Sequence, residues 1–532
     1  MISMSCRIQG GDFDRGGQAT RRLKEHLVRL GLNGAVMRRA MIVSYEAEMN
    51  VVIHARTGTL WARLGEGTLD LEIADEGPGI PDVQLAMREG WSTASAKARE
   101  LGFGAGLGLP NIRRNSDRFQ VETRVGRGTR IRSTIFLGEA PATPPAAEPE
   151  EEHAVAVSAE RCRRCLRCIF SCPTGALRVH AAGPVVRNGL CVGCAECAGA
   201  CASSVYGMQD VSAEALPGAA EDAVIVLPRG LLTSPRAGGS PAAVLGTLAG
   251  LGFGEVRFTE EWEEALLREA RVLASRPDAV CPLIPPLCPA VTALVESRFP
   301  SLIPNLAALL SPLEAAGEEF PLRPAVLVAA CPAQLVSATA SSLTDRLTVV
   351  APARLSEILR GTNAAGGRIP ALRAPLAAAH PADKELSVSG AREVLGALAA
   401  AEAGALGGVA LLNLRLCLHG CSGSPHLCAQ SFLAEMAGSR VPPLLQGSPE
   451  TDAAAVRRSR PYRQRAGMRL SADMAFAIQA LGRIDALLGT LPGRDCGACG
   501  APACALYAED VVMGRSDSSS CPHATPIREV SP

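Results

Sequence analysis

Nineteen cysteines in 532 residues carry the strongest chemical signal in this chain. They are clustered, and many stand two residues apart, which is ligand spacing rather than a disulfide framework. One run is Cys162-x-x-Cys165-x-x-Cys168-x-x-x-Cys172-Pro173, and it repeats as Cys191-x-x-Cys194-x-x-Cys197-x-x-x-Cys201. A further group, Cys496, Cys499, Cys504 and Cys521, stands late in the chain, with Gly497 and Gly500 allowing a tight wrap. Cys288, Cys331, Cys417 and Cys421 lie in apolar or Gly-rich stretches far apart in sequence. These four quartets leave Cys6, Cys281 and Cys428, which receive no role. Thiolate quartets suit iron–sulfur cubanes or zinc, and the doubled spacing at 162–201 favours iron.

A second chemistry precedes the cysteines. Glu46-x-x-x-Asn50-x-x-x-His54 has helical spacing, which puts the three side chains on one face. Asp75-Glu76-Gly77-Pro78-Gly79 follows an apolar strand candidate. A run from Gly102 through Gly104, Gly106 and Gly108 to Leu109 opens a helix, where backbone N–H groups can approach phosphates. Gly126-Arg127-Gly128-Thr129 closes the set. Each motif alone is weak; four in order within one small domain point to a nucleotide site.

The elements that must position these groups form several units, because 532 residues exceed one hydrophobic core. Hydrophobic residues make up 47% and aromatics 3%, so the cores must be built from Ala, Leu and Val. Helices are expected at 17–30, 37–55 and 472–488, and strands at 69–74, 130–137 and 325–330. The Pro-rich, acidic stretch 139–153 reads as a linker. A second polar linker is expected at 437–470, whose arginines from Arg457 to Arg469 read as a solvated face. Lys plus Arg equals Asp plus Glu at 53 each, which gives no general pull toward nucleic acid or acidic membranes. The start of the chain has no apolar run and the longest uncharged stretch is a poor span, so a cytoplasmic protein without a membrane partner is expected.

Residues 10–137 resemble the ATP-binding domain shared by histidine kinases and anti-sigma-factor serine kinases, the short form being closer to the latter. The resemblance implies that Asn50 holds Mg²⁺ against the phosphates, that Asp75 bonds the adenine amino group, and that Glu46 is the general base. Gly77, Gly79, Gly104, Gly106, Gly108 and Thr129 would line the nucleotide, with 81–103 as a lid. Residues 162–201 are similar to bacterial two-cluster ferredoxins. That likeness assigns Cys162, Cys165, Cys168 and Cys201 to one [4Fe–4S] cluster, and Cys191, Cys194, Cys197 and Cys172 to the other. Residues 222–435 resemble the iron-only hydrogenase catalytic domain through their three cysteine loops. It implies that Cys288, Cys331, Cys417 and Cys421 hold an active-site cubane, with Cys421 bridging to a diiron subsite. Two departures stand out: Leu287 replaces a proton-relaying cysteine, and Gln334 replaces a lysine. A cubane without a diiron site stays open. Residues 475–525 look like a small [4Fe–4S] domain of electron-transfer proteins, held by Cys496, Cys499, Cys504 and Cys521.

The fold class expected is multidomain α/β and α+β. It comprises an ATP-binding α/β sandwich (1–138), a bacterial ferredoxin fold (154–212), an iron-only hydrogenase-like α/β domain (222–436) and a small helical [4Fe–4S] cap (471–532). Together these resemblances imply a sensory iron–sulfur protein that couples cluster redox state, across the 139–153 linker, to a serine/threonine-kinase-type domain. Its cofactors would be four [4Fe–4S] clusters, a diiron subsite, ATP and Mg²⁺. Its partners would be a redox protein and a regulatory protein of anti-anti-sigma or phosphatase-linked type. The alternatives are a non-catalytic anti-sigma-type binding module, an ATP-dependent electron donor and a slow hydrogenase.

Overall fold

The computed structural model describes residues 2–65, 67–95, 98, 104, 106–138, 154–209, 223–232, 234, 240–320, 323–339, 347–361, 371–372, 384–418, 420–427 and 456–524. The expected linker at 139–153, much of the lid, residues 437–455 and Cys428 lie outside these.

The first unit is a five-stranded antiparallel sheet of order β1-β2-β3-β5-β4, from β1 (Ile2–Gln9), β2 (Thr57–Leu64), β3 (Thr68–Asp75), β4 (Arg118–Arg124) and β5 (Gly128–Phe136). Every second residue of β2, and of β3 as far as Ile73, is buried, as a sheet with one covered face requires. Helices α1 (Gln18–Arg29) and α2 (Gly34–His54) supply the cover. The buried Glu48 on α2 accepts bonds from the Ala19 and Thr20 N–H groups and the Thr20 hydroxyl, at 2.8–3.0 Å. A carboxylate at the positive end of α1 satisfies donors that would otherwise be orphaned. The helices and β3 and β5 fall where periodicity puts them; β1, β2 and β4 were not foreseen.

The ferredoxin-like unit is two small antiparallel pairs, Val155–Val157 with Tyr206–Met208 and Leu177–His180 with Gly183–Val186. The next unit has a wholly parallel sheet of order Leu347–Val350, Ala325–Val328, Ala223–Leu227, Phe253–Phe258, Ala371–Leu372. Ala223–Leu227 and Ala325–Val328 are buried at every residue, which is why they read as unbroken apolar runs. A separate parallel pair joins Glu385–Ser389 to Leu411–Arg415.

The last unit, with helices Met474–Thr490 and Cys504–Val512, does not stand apart. Ala477, Leu481, Ile484 and Tyr507 share one core with Leu23, Leu27 and Met37 of the first unit. Residues 456–470, expected to be linker, form a strap instead. The Leu310 N–H donates to Val456 O at 2.8 Å, the Tyr462 hydroxyl donates to Leu309 O at 2.9 Å, and Arg458 and Arg465 pair with Glu314 and Glu296 at 3.3 and 3.0 Å. The arginines read as solvated because their carboxylate partners stand more than 100 residues away. Among the described residues no helix is long and apolar enough to cross a membrane.

Candidate cluster and nucleotide sites

The ferredoxin-like repeat is visible in the backbone. In the first run Arg164 and Leu166 take left-handed φ of 50° and 65°; in the second Gly193 and Ala195, at the equivalent positions, take 65° and 66°. Non-glycine residues resist this region, and here it curls each Cys-x-x-Cys-x-x-Cys segment around a centre. Burial raises the Cys168 thiol, and charge on Cys201 and Cys165 adds to it. Burial likewise raises Cys194 and Cys197, with charge on Cys172 contributing to both. Cys201 thus lies within electrostatic reach of Cys168 in the first run, and Cys172 within reach of Cys194 and Cys197 in the second. The Tyr206 hydroxyl donates to Cys168 Sγ at 3.1 Å and the Ala176 N–H to Cys172 Sγ at 3.3 Å. Such bonds stabilise negative charge on sulfur. Burial pushes Cys191 up to about 11 and Cys331 up to about 12. Buried thiols of this kind become thiolates when a cationic group joins them, so the donor set fits iron–sulfur clusters.

Cys288, Cys331, Cys417 and Cys421, spread over 134 residue numbers, converge on one small cavity. The architecture explains the convergence. Cys331 follows strand Ala325–Val328 and precedes helix Pro332–Thr339, Cys288 caps helix Pro289–Arg298, and Cys417 follows strand Leu411–Arg415. Carboxyl ends of parallel strands and helix N-termini favour anionic groups. Gln334 spans the site: its Oε1 accepts from the Ala330 N–H at 2.7 Å and its Nε2 donates to Cys421 Sγ at 3.2 Å. Leu287 is wholly buried in the apolar core with Trp262 and Leu335. Arg415, which sequence reasoning missed, lines the cavity and pairs with Glu263 at 2.9 Å. Glu260, pushed up to about 7 by burial and by Glu263, accepts from the Ser422 hydroxyl at 3.2 Å. Arg415 stands two residues before Cys417, and that proximity was the available signal.

Cys194 of the second ferredoxin run lines the same cavity. Its loop is tied there, since the Ala333 N–H donates to Gly193 O at 3.1 Å. A Cβ on Gly193 would lie 2.6 Å from Ala333 N, on a residue already at φ 65°. Gly193→Ala is therefore expected to lower stability by more than the ~1–2 kcal/mol of left-handed strain, because the loop bearing Cys331 must move. A urea midpoint unchanged from the parent would refute that contact.

The last quartet is wrapped by Gly497 and Gly500, at φ 73° and 87°. Burial raises Cys499, with charge on Cys521 and Cys504 adding to it. Cys504 begins a nine-residue helix that also carries Glu509 and Asp510. Glu509 accepts from Arg29 Nε of α1 at 3.1 Å, and Asp510 holds Arg178 and Arg187 of the ferredoxin-like unit. His26 of α1 reaches Asp485 at 3.1 Å. Also on α1, the half-buried Lys24 pairs with Glu402 at 2.5 Å and lies 3.5 Å from the centroid of the Phe299 ring. The nucleotide unit thus packs directly on the last unit and on the unit that carries the parallel sheets.

In the nucleotide unit, Glu46 and Asn50 lie one turn apart on α2, and Gly108 opens the helix Gly108–Arg114 beside both. Burial raises the Glu46 carboxyl, and Asn111 opposes this by donating Nδ2–H to Oε1 at 2.6 Å. Asn111 was not singled out from sequence because 65 residues separate it from its partner. Asp75 ends β3; burial raises it, while its Oδ1 accepts from the Gly77 N–H at 2.8 Å and the Thr129 N–H at 3.2 Å. Gly128 is required, since a Cβ there would fall 1.9 Å from Asp75 O. Gly79, Gly104 and Gly106 all take left-handed φ. Of the expected lid, the helix Val83–Ala86 is described, and the Gly90 N–H donates to Gly106 O at 3.1 Å. His54, on the Glu46 face, is exposed.

This pocket defines a class: the family of histidine kinase-, DNA gyrase B- and HSP90-like ATPases matches residues 37–139, and an Fe-S cluster family matches 491–523. The serine/threonine-protein kinase RsbT of Bacillus subtilis is 30% identical over 124 residues, 22% of this chain and 87% of RsbT. Through its first unit the chain belongs to the RsbT family. The anti-sigma F factor of Caldanaerobacter subterraneus is 33% identical over 98 residues, 18% of this chain and 65% of that protein. Among solved structures, an apo variant of the FeFe-hydrogenase HydA1 from Chlamydomonas reinhardtii is 15% identical with a TM-score of 0.35, covering 44% of this chain and 87% of that one. A likeness at that score decides neither fold nor function. The chain therefore joins an anti-sigma- and kinase-type ATPase domain to an iron–sulfur domain.

Proposed function

We propose that the chain is an iron–sulfur signalling protein in which cluster redox state biases the ATP domain, and through it a regulatory protein partner. The observation that carries this reading is the helix Cys504–Val512, which begins at an expected cluster ligand and holds both α1 and the ferredoxin-like unit by ion pairs. This direct contact offers a shorter coupling route than the 139–153 linker. The sixteen cysteines of the four quartets would hold [4Fe–4S] clusters, which supply one-electron exchange. Asn50 would hold Mg²⁺, Asp75 the adenine, and Glu46 would take the proton of an acceptor serine or threonine.

The test is nucleotide affinity and phosphoryl transfer, measured on anaerobically purified protein with clusters oxidised and then reduced. A coupled system shifts ATP affinity about 5–150-fold between the two states. Equal affinity and equal transfer in both states sink the coupling, and protein that lacks about sixteen irons per chain sinks the four-cluster assignment. At the hydrogenase-like cavity the favoured reading is a sensory site rather than a metabolic one. Leu287 is core packing and relays no proton, and a cationic Arg415 faces the thiols. Infrared bands of CO and CN⁻ ligands in matured protein would restore the diiron reading.

A further inference from the structure

The first cysteine run is interleaved with Arg161, Arg163, Arg164 and Arg167, and all four arginines are exposed. Within that quartet Cys165 is the exposed thiol. The last quartet surfaces nearby: Cys496 is exposed, Arg494 beside it is exposed, and Gly497 lies against Phe170 and Ile169, so closely that a Cβ there would fall 2.8 Å from Phe170 Cζ and 3.1 Å from Ile169 Cδ1. Phe170 itself is 55% exposed. The acidic groups here are few. Glu160 lies 3.9 Å from Arg161, and exposed Asp495 accepts the Cys504 N–H at 2.7 Å. Among the described residues Arg163, Arg164, Arg167 and Arg494 form no ion pair. The whole chain is neutral, so this excess of positive charge is local.

We propose that this face is the docking surface for a small acidic one-electron carrier protein of ferredoxin type. The inference rests on the reading that these quartets hold clusters. The chemistry is simple: the carrier loses one electron, the cluster at Cys162, Cys165, Cys168 and Cys201 gains it, and no bond or proton moves. A ring of unpaired guanidinium groups steers an acidic partner and raises its association rate by about 10–10³-fold, an effect that salt screens. Arginine and an exposed aromatic are also the residue types that anchor interfaces. Two cluster edges meet at this face, so a carrier seated on Phe170 would approach both.

The test is stopped-flow reduction of the anaerobically purified full chain by a reduced, acidic plant-type 2Fe–2S ferredoxin, with the methyl viologen radical cation as a small donor of opposite charge. The ferredoxin rate should fall steeply between low and high salt. Arg163→Glu combined with Arg167→Glu should cut it at least about tenfold, leave iron content and EPR spectra unchanged, and not slow viologen. Viologen reduction with a ferredoxin rate indifferent to salt and to the charge reversal would overturn the docking surface. A chain that neither donor reduces would overturn the cluster reading itself.

Discussion

Glu46→Gln should lower phosphoryl transfer to a partner protein by about 10²–10⁴-fold, the contribution of a positioned general base, while leaving nucleotide affinity nearly unchanged. The substitution keeps size and hydrogen-bonding shape but cannot accept a proton. The pH profile gives an independent check. Burial raises the Glu46 carboxyl, and only its ionised form is a base. The rate is then full above the raised value and falls as pH drops through it, so the acid limb lies higher than a solvent-exposed glutamate would put it. Asn111 donates to the carboxylate and so favours the charged form. Asn111→Ala removes that bond, leaves burial unopposed, and should move the limb to still higher pH. Labelled ATP and a purified acceptor protein measure both effects. Full transfer by Glu46→Gln would remove Glu46 from the chemistry. No transfer by the parent, with ATP still bound, would favour the non-catalytic anti-sigma-type module.

The sites were legible where chemistry is local in sequence. Cys-x-x-Cys spacing and the Gly77-to-Gly79 turn act within one loop, so short motifs expose them. The cavity quartet could be listed residue by residue only through family likeness, because its convergence depends on two separate parallel sheets, whose strands Ala325–Val328 and Leu411–Arg415 end at one cavity. Asn111 and Arg415 were missed for the same reason, since nothing about an asparagine or an arginine in isolation marks its partner. Among the described side chains of the edge strand β1, Met4 and Ile8 are the buried ones, a pattern too thin for periodicity to reveal. Domain packing was the largest omission. The apolar face of Met474–Thr490 predicts a helix that covers something, yet only the fold shows that it covers the nucleotide unit, with His26 meeting Asp485 across 459 residues.

That packing sets up the largest expected loss of stability. Arg178 is 2% exposed and is held by Asp510, itself 3% exposed, while Arg178 Nη1 donates to Gly175 O and Leu177 O at 2.6 and 2.9 Å. Asp510→Ala leaves a buried guanidinium without a counter-charge and should cost about 3–5 kcal/mol. Arg187, which meets Asp510 at 2.6 Å, is 20% exposed and can turn to solvent, so it adds little to that cost. Replacing the pair by apolar residues, Arg178→Met with Asp510→Leu, should recover most of the stability, because no charge then stays buried. Urea midpoints at constant m-value read both. The recovered double variant also tests the coupling route. It keeps Glu509 on Arg29 but cuts the ion pair between the helix and the ferredoxin-like unit. If helix Cys504–Val512 relays cluster state, the difference in ATP affinity between oxidised and reduced protein should shrink toward unity in a chain that is otherwise folded and iron-loaded. A stable double variant that keeps the full difference would exclude the Arg178–Asp510 link as the route, leaving the Arg29–Glu509, His26–Asp485 and Lys24–Glu402 contacts of α1 as direct paths.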